Sequence, residues 1–98
     1  MYVVKYTAEF AVFIASIKDG MSKARLQTRL RKVALGLLGD VAPVGEGVFE
    51  MREHFGAGWR MYYVTRGHEL IVMLGGGTKA KQQQDIASAI ELAKQLED

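Results

Sequence analysis

The stretch VFEMREHFGAGWRMYYVTRGHELIVML, residues 48–74, decides the fold. It holds three runs rich in β-branched and aromatic residues, at 48–55, 59–66 and 69–74, with glycine-containing segments at 56–58 and 67–68 between them. Such runs, joined by short glycine turns, are typical of consecutive antiparallel strands. The sequence therefore predicts a three-stranded antiparallel meander.

Alternation along the first strand of this meander separates two faces. The apolar face, with Phe49 and Met51, is predicted to pack on helices. A three-residue turn at 56–58 would place His54 opposite Arg60 and Arg52 opposite Tyr62 on the other face. That polar face then gathers the side chains of Glu50, Arg52, His54, Arg60 and Tyr62. Two interpretations stay open: a phosphate-binding site, or a solvated sheet face.

Working outward from the meander, residues 2–6 predict a strand, and the apolar spacing within 8–18 predicts an amphipathic helix. Ser22 is the expected N-cap of a second helix. Residues 36–47, with the only proline, Pro43, are predicted to be a loop. After the meander, Gly75-Gly76-Gly77 should stop the last strand, Thr78 should cap, and a C-terminal helix should follow with an apolar stripe at Ile86, Ala89, Ile90, Ala93 and Leu96.

Length and composition indicate one globular domain spanning residues 1–98. Apolar residues make up 49% of the 98 and charged residues 24%, which argues against disorder. The absence of cysteine excludes a disulfide framework, a thiolate metal site and a cysteine nucleophile. No apolar run approaches the roughly 20 residues of a membrane span, and the N-terminus lacks a secretory pattern. We therefore expect a cytoplasmic protein without a membrane partner.

The charge is unevenly distributed along the chain. The net charge is only +2, but the segment 18–32 is strongly basic and the segment 82–98 is acidic. The basic segment contains Lys18, Lys23, Arg25, Arg29, Arg31 and Lys32. These side chains could contact an RNA backbone, or they could simply solvate a helix face.

Three fragments of the chain resemble a known family. They are GDVAPVGEGVFEMR at 39–52, GAGWRMYY at 56–63, and LGGGTKAKQ at 74–82 followed by Asp85-Ile86. Together they are similar to the addiction-module killer, HigB-like branch of the RelE/ParE toxins, over nearly the whole chain. The resemblance implies an α+β fold of order β-α-α-β-β-β-α, with an antiparallel sheet carrying helices on one face. It also implies the toxin of a type II toxin-antitoxin system.

The resemblance implies roles for individual residues. By position, Arg60 corresponds to the arginine that contacts the scissile phosphate in nuclease members, and Arg52 and Lys79 correspond to the other basic site positions. His54 and Glu50 are candidates for the general base or acid of a metal-independent reaction, with no cofactor expected. The candidate RNA contacts are Tyr62, Lys81, Lys18, Lys23, Arg25 and Arg29. Thr78, Ala42, Ala57 and Glu53 depart from the family pattern, but none of them replaces a basic site residue.

The implied partners are a cognate antitoxin, expected to be a DNA-binding helix-turn-helix protein, operator DNA through their complex, and the ribosome with its mRNA. The leading hypothesis is a ribosome-dependent mRNA endonuclease that inhibits translation. A ParE-like poison of DNA gyrase is the alternative with the same fold, which does not choose between the two. A non-catalytic module that binds the antitoxin and acts as co-repressor is the third hypothesis.

Overall fold

The computed structural model describes residues 1–96, which form a five-stranded sheet and three α-helices. In chain order these are β1 (Val3–Tyr6), α1 (Ala8–Ser16), α2 (Gly20–Ala34), β2 (Val41–Gly45), β3 (Val48–Arg52), β4 (Trp59–Arg66), β5 (Leu70–Thr78) and α3 (Gln82–Gln95), with one 3₁₀ turn, Lys79–Lys81, before α3. Glu97 and Asp98, counted above in the acidic end, lie outside the described residues. Within residues 1–96, every helix is too short or too polar to span a bilayer.

The strands lie in the order β1-β5-β4-β3-β2. The predicted meander is present as β3, β4 and β5, which pair antiparallel, and β1 adds to the sheet parallel to β5. The α+β fold class is confirmed, although the sheet is mixed rather than purely antiparallel and contains one more strand than expected.

The extra strand is β2, in the segment predicted to be a loop. Val41 pairs with Met51 and Ala42 with Glu50, and a register shift follows between Pro43 and Gly45. Proline and glycine make a segment look like a loop, but an edge strand tolerates proline because its outer side needs no donor. The loop prediction for residues 36–47 was therefore wrong from Val41 to Gly45.

The three glycines 75–77 do not end β5, which continues to Thr78. Gly75, Gly76 and Gly77 pair with Tyr62, Met61 and Arg60 of β4. A Cβ on Gly76 would collide with Phe13 of α1, and one on Gly77 with Asp85 of α3. The glycines therefore allow two helices to approach the sheet closely, and they do so from opposite sides, because consecutive strand residues face opposite ways.

Helices cover both faces of the sheet, and not one face as the resemblance implied. On one face, Phe10 of α1 and Leu26 of α2 pack with Met51, Met61 and Ile71 of the sheet. The other face holds a second core, in which α3 covers the sheet; its fully or nearly fully buried members are Val48, Tyr62, Val64, Leu74, Ala89 and Ala93. The predicted stripe of α3 is thus a packing surface, except that Leu96 is exposed.

The helix caps differ in detail from the prediction. Asp19, and not Ser22, caps α2: its carboxylate accepts a hydrogen bond from the Met21 N–H. Ser22 lies in the first turn of that helix and donates its hydroxyl to Asp19. Thr78 precedes the 3₁₀ turn without a side-chain capping bond. A carboxylate at the N-cap also interacts favourably with the helix dipole, so aspartate suits this position.

Candidate functional site

The predicted polar face of the meander is present, but the pairing register between β3 and β4 differs from the prediction by two residues. Arg52 lies opposite Arg60, and Glu50 opposite Tyr62. Strand β3 ends at Arg52, so residues 53–58 form a longer connection than the predicted turn at 56–58. Because a shift of two residues keeps every side chain on its face, Glu50, Arg52, Arg60 and Tyr62 still share one side of the sheet.

Three side chains form an exposed group at the end of β3, here called the Asp40 cluster: Asp40, Arg52 and His54. Asp40 Oδ1 accepts a hydrogen bond from Arg52 Nη2 at 2.9 Å, and Asp40 Oδ2 lies 2.7 Å from His54 Nε2. The His54 side chain is 71% exposed and that of Arg52 37%. One carboxylate therefore holds a guanidinium and an imidazole side by side at the surface.

The two partners keep Asp40 ionised. The hydrogen bond from Arg52, followed by that from His54, lowers the pKa of the Asp40 carboxyl to about 2. The same contact with Asp40 raises the pKa of the Arg52 guanidinium. At neutral pH the Asp40 cluster is a charged network that includes a permanent cation.

Arg60 lies behind this cluster and is only 6% exposed. Its Nη1 donates to the backbone carbonyls of Glu53, Gly58 and Trp59, at 2.9, 3.1 and 3.1 Å. Glu53 and Gly58 lie in the connection between β3 and β4, and Trp59 is the first residue of β4. In this structure Arg60 therefore shapes the loop that carries His54.

Glu50 and Tyr62 lie deeper, beneath α3. Glu50 is 2% exposed and accepts a hydrogen bond from Gln82 Nε2 at 2.7 Å, and Tyr62 is fully buried. Burial, followed by the negative charges of Glu50 and Asp85, raises the pKa of the Tyr62 phenol far above its usual value. Tyr62 cannot stack on an RNA base while α3 covers it, so its suggested RNA contact does not fit this structure.

Arg29, a predicted RNA contact, is engaged inside the protein. Its Nη1 donates to the Arg52 carbonyl at 2.6 Å and to Glu53 Oε2 at 2.7 Å, and its Nη2 donates to the carbonyls of Leu38 and Asp40 at 2.9 and 2.8 Å. This guanidinium joins α2 to the ends of β2 and β3. Little of the group faces solvent, so an RNA contact by Arg29 would require these internal hydrogen bonds to break.

The other predicted RNA contacts are accessible. Lys18, Arg25 and Lys81 are exposed, and Lys23 is partly so; Lys79, a candidate catalytic residue, is also exposed. Arg25 stacks its guanidinium 3.8 Å from the centre of the Phe55 ring, within range of a cation–π contact. A groove of about 630 Å³ runs beside α2 and reaches the Asp40 cluster; its lining includes Arg25, Lys32, Leu37, Asp40 and Glu53.

Comparison with known proteins places the chain in a family. The family model described as "Phage derived protein Gp49-like (DUF891)" matches residues 21–97, which is most of the chain. The chain belongs to this Gp49-like family. Gp49-like proteins are a RelE-like toxin family, in agreement with the wider resemblance seen in the sequence.

One sequence relative and one solved structure are similar to this Gp49-like protein. An uncharacterized protein of Haemophilus influenzae is 33% identical over 93 residues, covering 95% of this chain and 94% of the relative. The crystal structure of YafQ from E. coli strain BL21(DE3) matches with a TM-score of 0.51 and 14% identity, over 84% of this chain and 98% of YafQ. That similarity shows the RelE-like fold.

Three polar residues of the candidate site were not predicted from the sequence: Asp40, Glu53 and Gln82. Asp40 lies in the segment predicted to be a loop, so its neighbour across the sheet was unknown. Pairing of Val41 with Met51 is what brings Asp40 beside Arg52. A predicted strand at 41–45 would have revealed this contact.

Proposed function

We propose that this protein is the toxin of a type II toxin-antitoxin system and acts as a ribosome-dependent mRNA endonuclease of the HigB-like branch. Membership of a RelE-like toxin family supports the toxin role. The observation that carries the nuclease role is the Asp40 cluster, in which Arg52 and His54 share one carboxylate at the surface.

The chemistry of the cluster suits attack by a ribose 2′-hydroxyl on the adjacent phosphate. That reaction needs a base for the hydroxyl proton and cations for the charge that develops on the phosphate oxygens. Arg52 supplies a guanidinium that pairs with phosphate oxygens, and His54 supplies an imidazole nitrogen that can accept a proton. In this proposal, Arg60 contributes chiefly by shaping the loop that holds His54.

The basic side chains outside the cluster would bind the RNA backbone. Lys79 and Lys81 lie in the 3₁₀ turn just before α3, and the backbone N–H of Lys79 donates to the carbonyl of Ala57 in the His54 loop. Lys18, Lys23 and Arg25 would add contacts from α2 and the residues that precede it. Backbone contacts of this kind raise affinity without choosing a sequence, which fits a substrate presented by the ribosome.

Membership of a toxin family implies a cognate antitoxin partner. We propose that the antitoxin carries a helix-turn-helix domain and that the complex binds operator DNA. Co-expression of the chain with the protein encoded by the neighbouring gene, followed by co-purification, tests this part.

The nuclease proposal is tested in a translating extract with purified toxin. Wild type should cut mRNA at defined positions, mapped by primer extension, and Arg52→Ala should lose at least about tenfold in cleavage rate because one phosphate contact disappears. Arg66→Ala is the matched control, since Arg66 also ends a strand and its Nη1 bonds only the neighbouring Thr65 carbonyl within the described chain. Arg60→Ala should lose both cleavage and stability, because three carbonyls lose their donor.

Other outcomes would refute the proposal. Growth arrest with intact message and altered plasmid supercoiling would indicate a gyrase poison. Absence of both toxicity and cleavage on expression without antitoxin would leave a binding module.

A further inference from the structure

Asp40 is held in place by hydrogen bonds to its backbone and to its side chain. Its backbone carbonyl accepts hydrogen bonds from Arg29 Nη2 at 2.8 Å and from the Arg52 N–H at 3.0 Å. Its side chain accepts from Arg52 Nη2 and contacts His54 Nε2. The His54 ring, by contrast, is largely exposed, and within residues 1–96 its one hydrogen bond is the contact with Asp40.

This contact determines where the imidazole carries its proton. An ionised carboxylate can only accept hydrogen bonds, so the proton between the two groups belongs to His54 Nε2. A neutral imidazole has one N–H, and its lone pair must then lie on Nδ1. That nitrogen faces away from Asp40, because the two ring nitrogens point in divergent directions, and the His54 side chain as a whole is 71% exposed.

We propose that Asp40 is a positioning residue, which fixes His54 with its proton on Nε2 so that Nδ1 serves as the general base of the cleavage reaction. The inference rests on the proposed nuclease function and assigns the proton transfer within it. Nδ1 takes the proton of the 2′-hydroxyl, O2′ forms a bond to phosphorus, and the bond from phosphorus to O5′ breaks. The leaving O5′ takes a proton from water, which gives a 2′,3′-cyclic phosphate and a 5′-hydroxyl end.

The same carboxylate also sets the distance between the base and the phosphate-binding cation. Arg52 and His54 occupy the two oxygens of Asp40, so neither can move far without losing its contact. The charged groups around His54 are Asp40 and, through it, Arg52, with Glu53 adjacent in sequence but paired to Arg29. Orientation of an imidazole by a carboxylate is a recurring device for a histidine base.

The first test reads the histidine tautomer directly in ¹⁵N-labelled toxin above pH 8. The chain has two histidines, so the spectrum is simple, and His68, exposed in the turn between β4 and β5, is an internal reference. In wild type, His54 should show the nitrogen shifts of a single tautomer, with Nε2 protonated. In Asp40→Asn, the two His54 nitrogen shifts should move toward those of His68.

The second test is a double-mutant cycle on the cleavage rate. Asp40→Asn should reduce kcat roughly tenfold or more, but by no more than the about 10²–10⁴-fold that a general base supplies. In a His54→Gln background the same substitution should cost much less, because Asp40 then has no base to position and only its contact with Arg52 is lost; such non-additivity is the mark of coupled residues. In an Arg52→Lys background, which keeps a cation, Asp40→Asn should still reduce the cleavage rate. Glu46→Gln is the matched control, because it removes another exposed carboxylate from an ion pair, with Lys94.

The inference is overturned if the His54 shifts are the same in wild type and Asp40→Asn, or if Asp40→Asn costs as much with His54→Gln as without it. If wild type does not cut mRNA at all, the proposed function fails and the proton-transfer role with it. The tautomer measurement still decides, in that case, whether Asp40 orients His54.

Discussion

At the scale of single residues, Gly76 is a position at which the fold leaves no room for a side chain. An added Cβ would lie 2.7 Å from the backbone oxygen of Arg60 and would collide with the Phe13 ring. The ring could turn, but the carbonyl belongs to the ladder between β4 and β5. We expect Gly76→Ala to lower the free energy of unfolding by about 2 to 3 kcal/mol, as overpacking does. Urea denaturation measures this.

The neighbouring Gly75 is the control, since a Cβ there meets no atom within 4 Å. Gly75→Ala should be neutral, or stabilising by up to about 1 kcal/mol, because it restricts the unfolded chain. Equal effects at the two positions would contradict the close packing of α1 on β5.

Asp40 should make stability depend on acid pH. Hydrogen bonds from Arg52, and then from His54, lower its pKa from its usual value near 3.8 to about 2 in the folded protein. A lowered folded pKa means that its stabilisation is complete above about pH 4 and is lost as the pH falls through about 2. The difference in urea midpoint between wild type and Asp40→Asn should therefore shrink as the pH falls from 5 to 2. A constant difference would show that the charge of Asp40 is not responsible.

The sequence predicted which face each of these strand residues occupies, but not their partners. Alternation alone puts Glu50 and Arg52 on one side, and a shift of two residues leaves that unchanged. The partner depends on the length of the connection, and residues 53–58 form a longer loop because Arg60 binds three carbonyls near it. Such a long-range organisation of a loop leaves no local pattern in the sequence.

At the scale of elements, Arg29 fastens α2 to the ends of β2 and β3. Its side chain is 12% exposed and donates to three carbonyls and to Glu53. We expect Arg29→Met to destabilise the protein by about 3 kcal/mol, because the partly buried Glu53 carboxylate and three carbonyls lose their donor. Thermal or urea denaturation checks this.

Arg31, on the same helix, is the matched control for Arg29. It is exposed, and within residues 1–96 its one hydrogen bond is to Thr28. Arg31→Met should change stability by less than about 0.5 kcal/mol. An equally small change in stability for Arg29→Met would show that the Arg29 side chain does not hold α2 to these strands.

Strand β2 and the glycine part of β5 show where element prediction fails. Pro43 and the glycines around it have low strand propensity, and β2 forms because β3 offers it a partner and an edge position. Gly75, Gly76 and Gly77 remain in β5 because they pair with β4, and helices pack closely on Gly76 and Gly77 from opposite sides. In both segments, tertiary contacts override the low strand propensity of proline and glycine.

At the scale of the whole molecule, the decisive feature is that α3 covers the polar face of the sheet. The sequence predicted this helix and its apolar stripe, but not which surface the stripe would meet. As a result, Glu50 and Tyr62 are inside the protein, whereas Arg52 and His54 stay at its edge. The predicted patch is therefore divided into a buried part and an exposed part.

The exposed part should bind RNA together with lysines at the start of α3. Replacing Lys79 and Lys81 by glutamine removes two charges from one end of that helix. For single-stranded RNA, the slope of log K against log salt should become shallower by about 1.4, since each phosphate contact contributes about 0.7. Fluorescence anisotropy with a labelled oligonucleotide between 50 and 200 mM salt, the range over which such contacts are strongly titrated, measures this slope.

The control is a pair of lysines elsewhere, Lys5 on β1 and Lys94 in the last turn of α3. The start and end of this 14-residue helix are about 20 Å apart at 1.5 Å per residue. Lys5→Gln with Lys94→Gln changes the net charge by the same amount, so a general electrostatic effect would shift both double variants equally. A contact surface at the start of α3 requires that only Lys79→Gln with Lys81→Gln changes the slope. Equal slopes in the two double variants would mean that the whole charge of the molecule, and not this surface, attracts RNA.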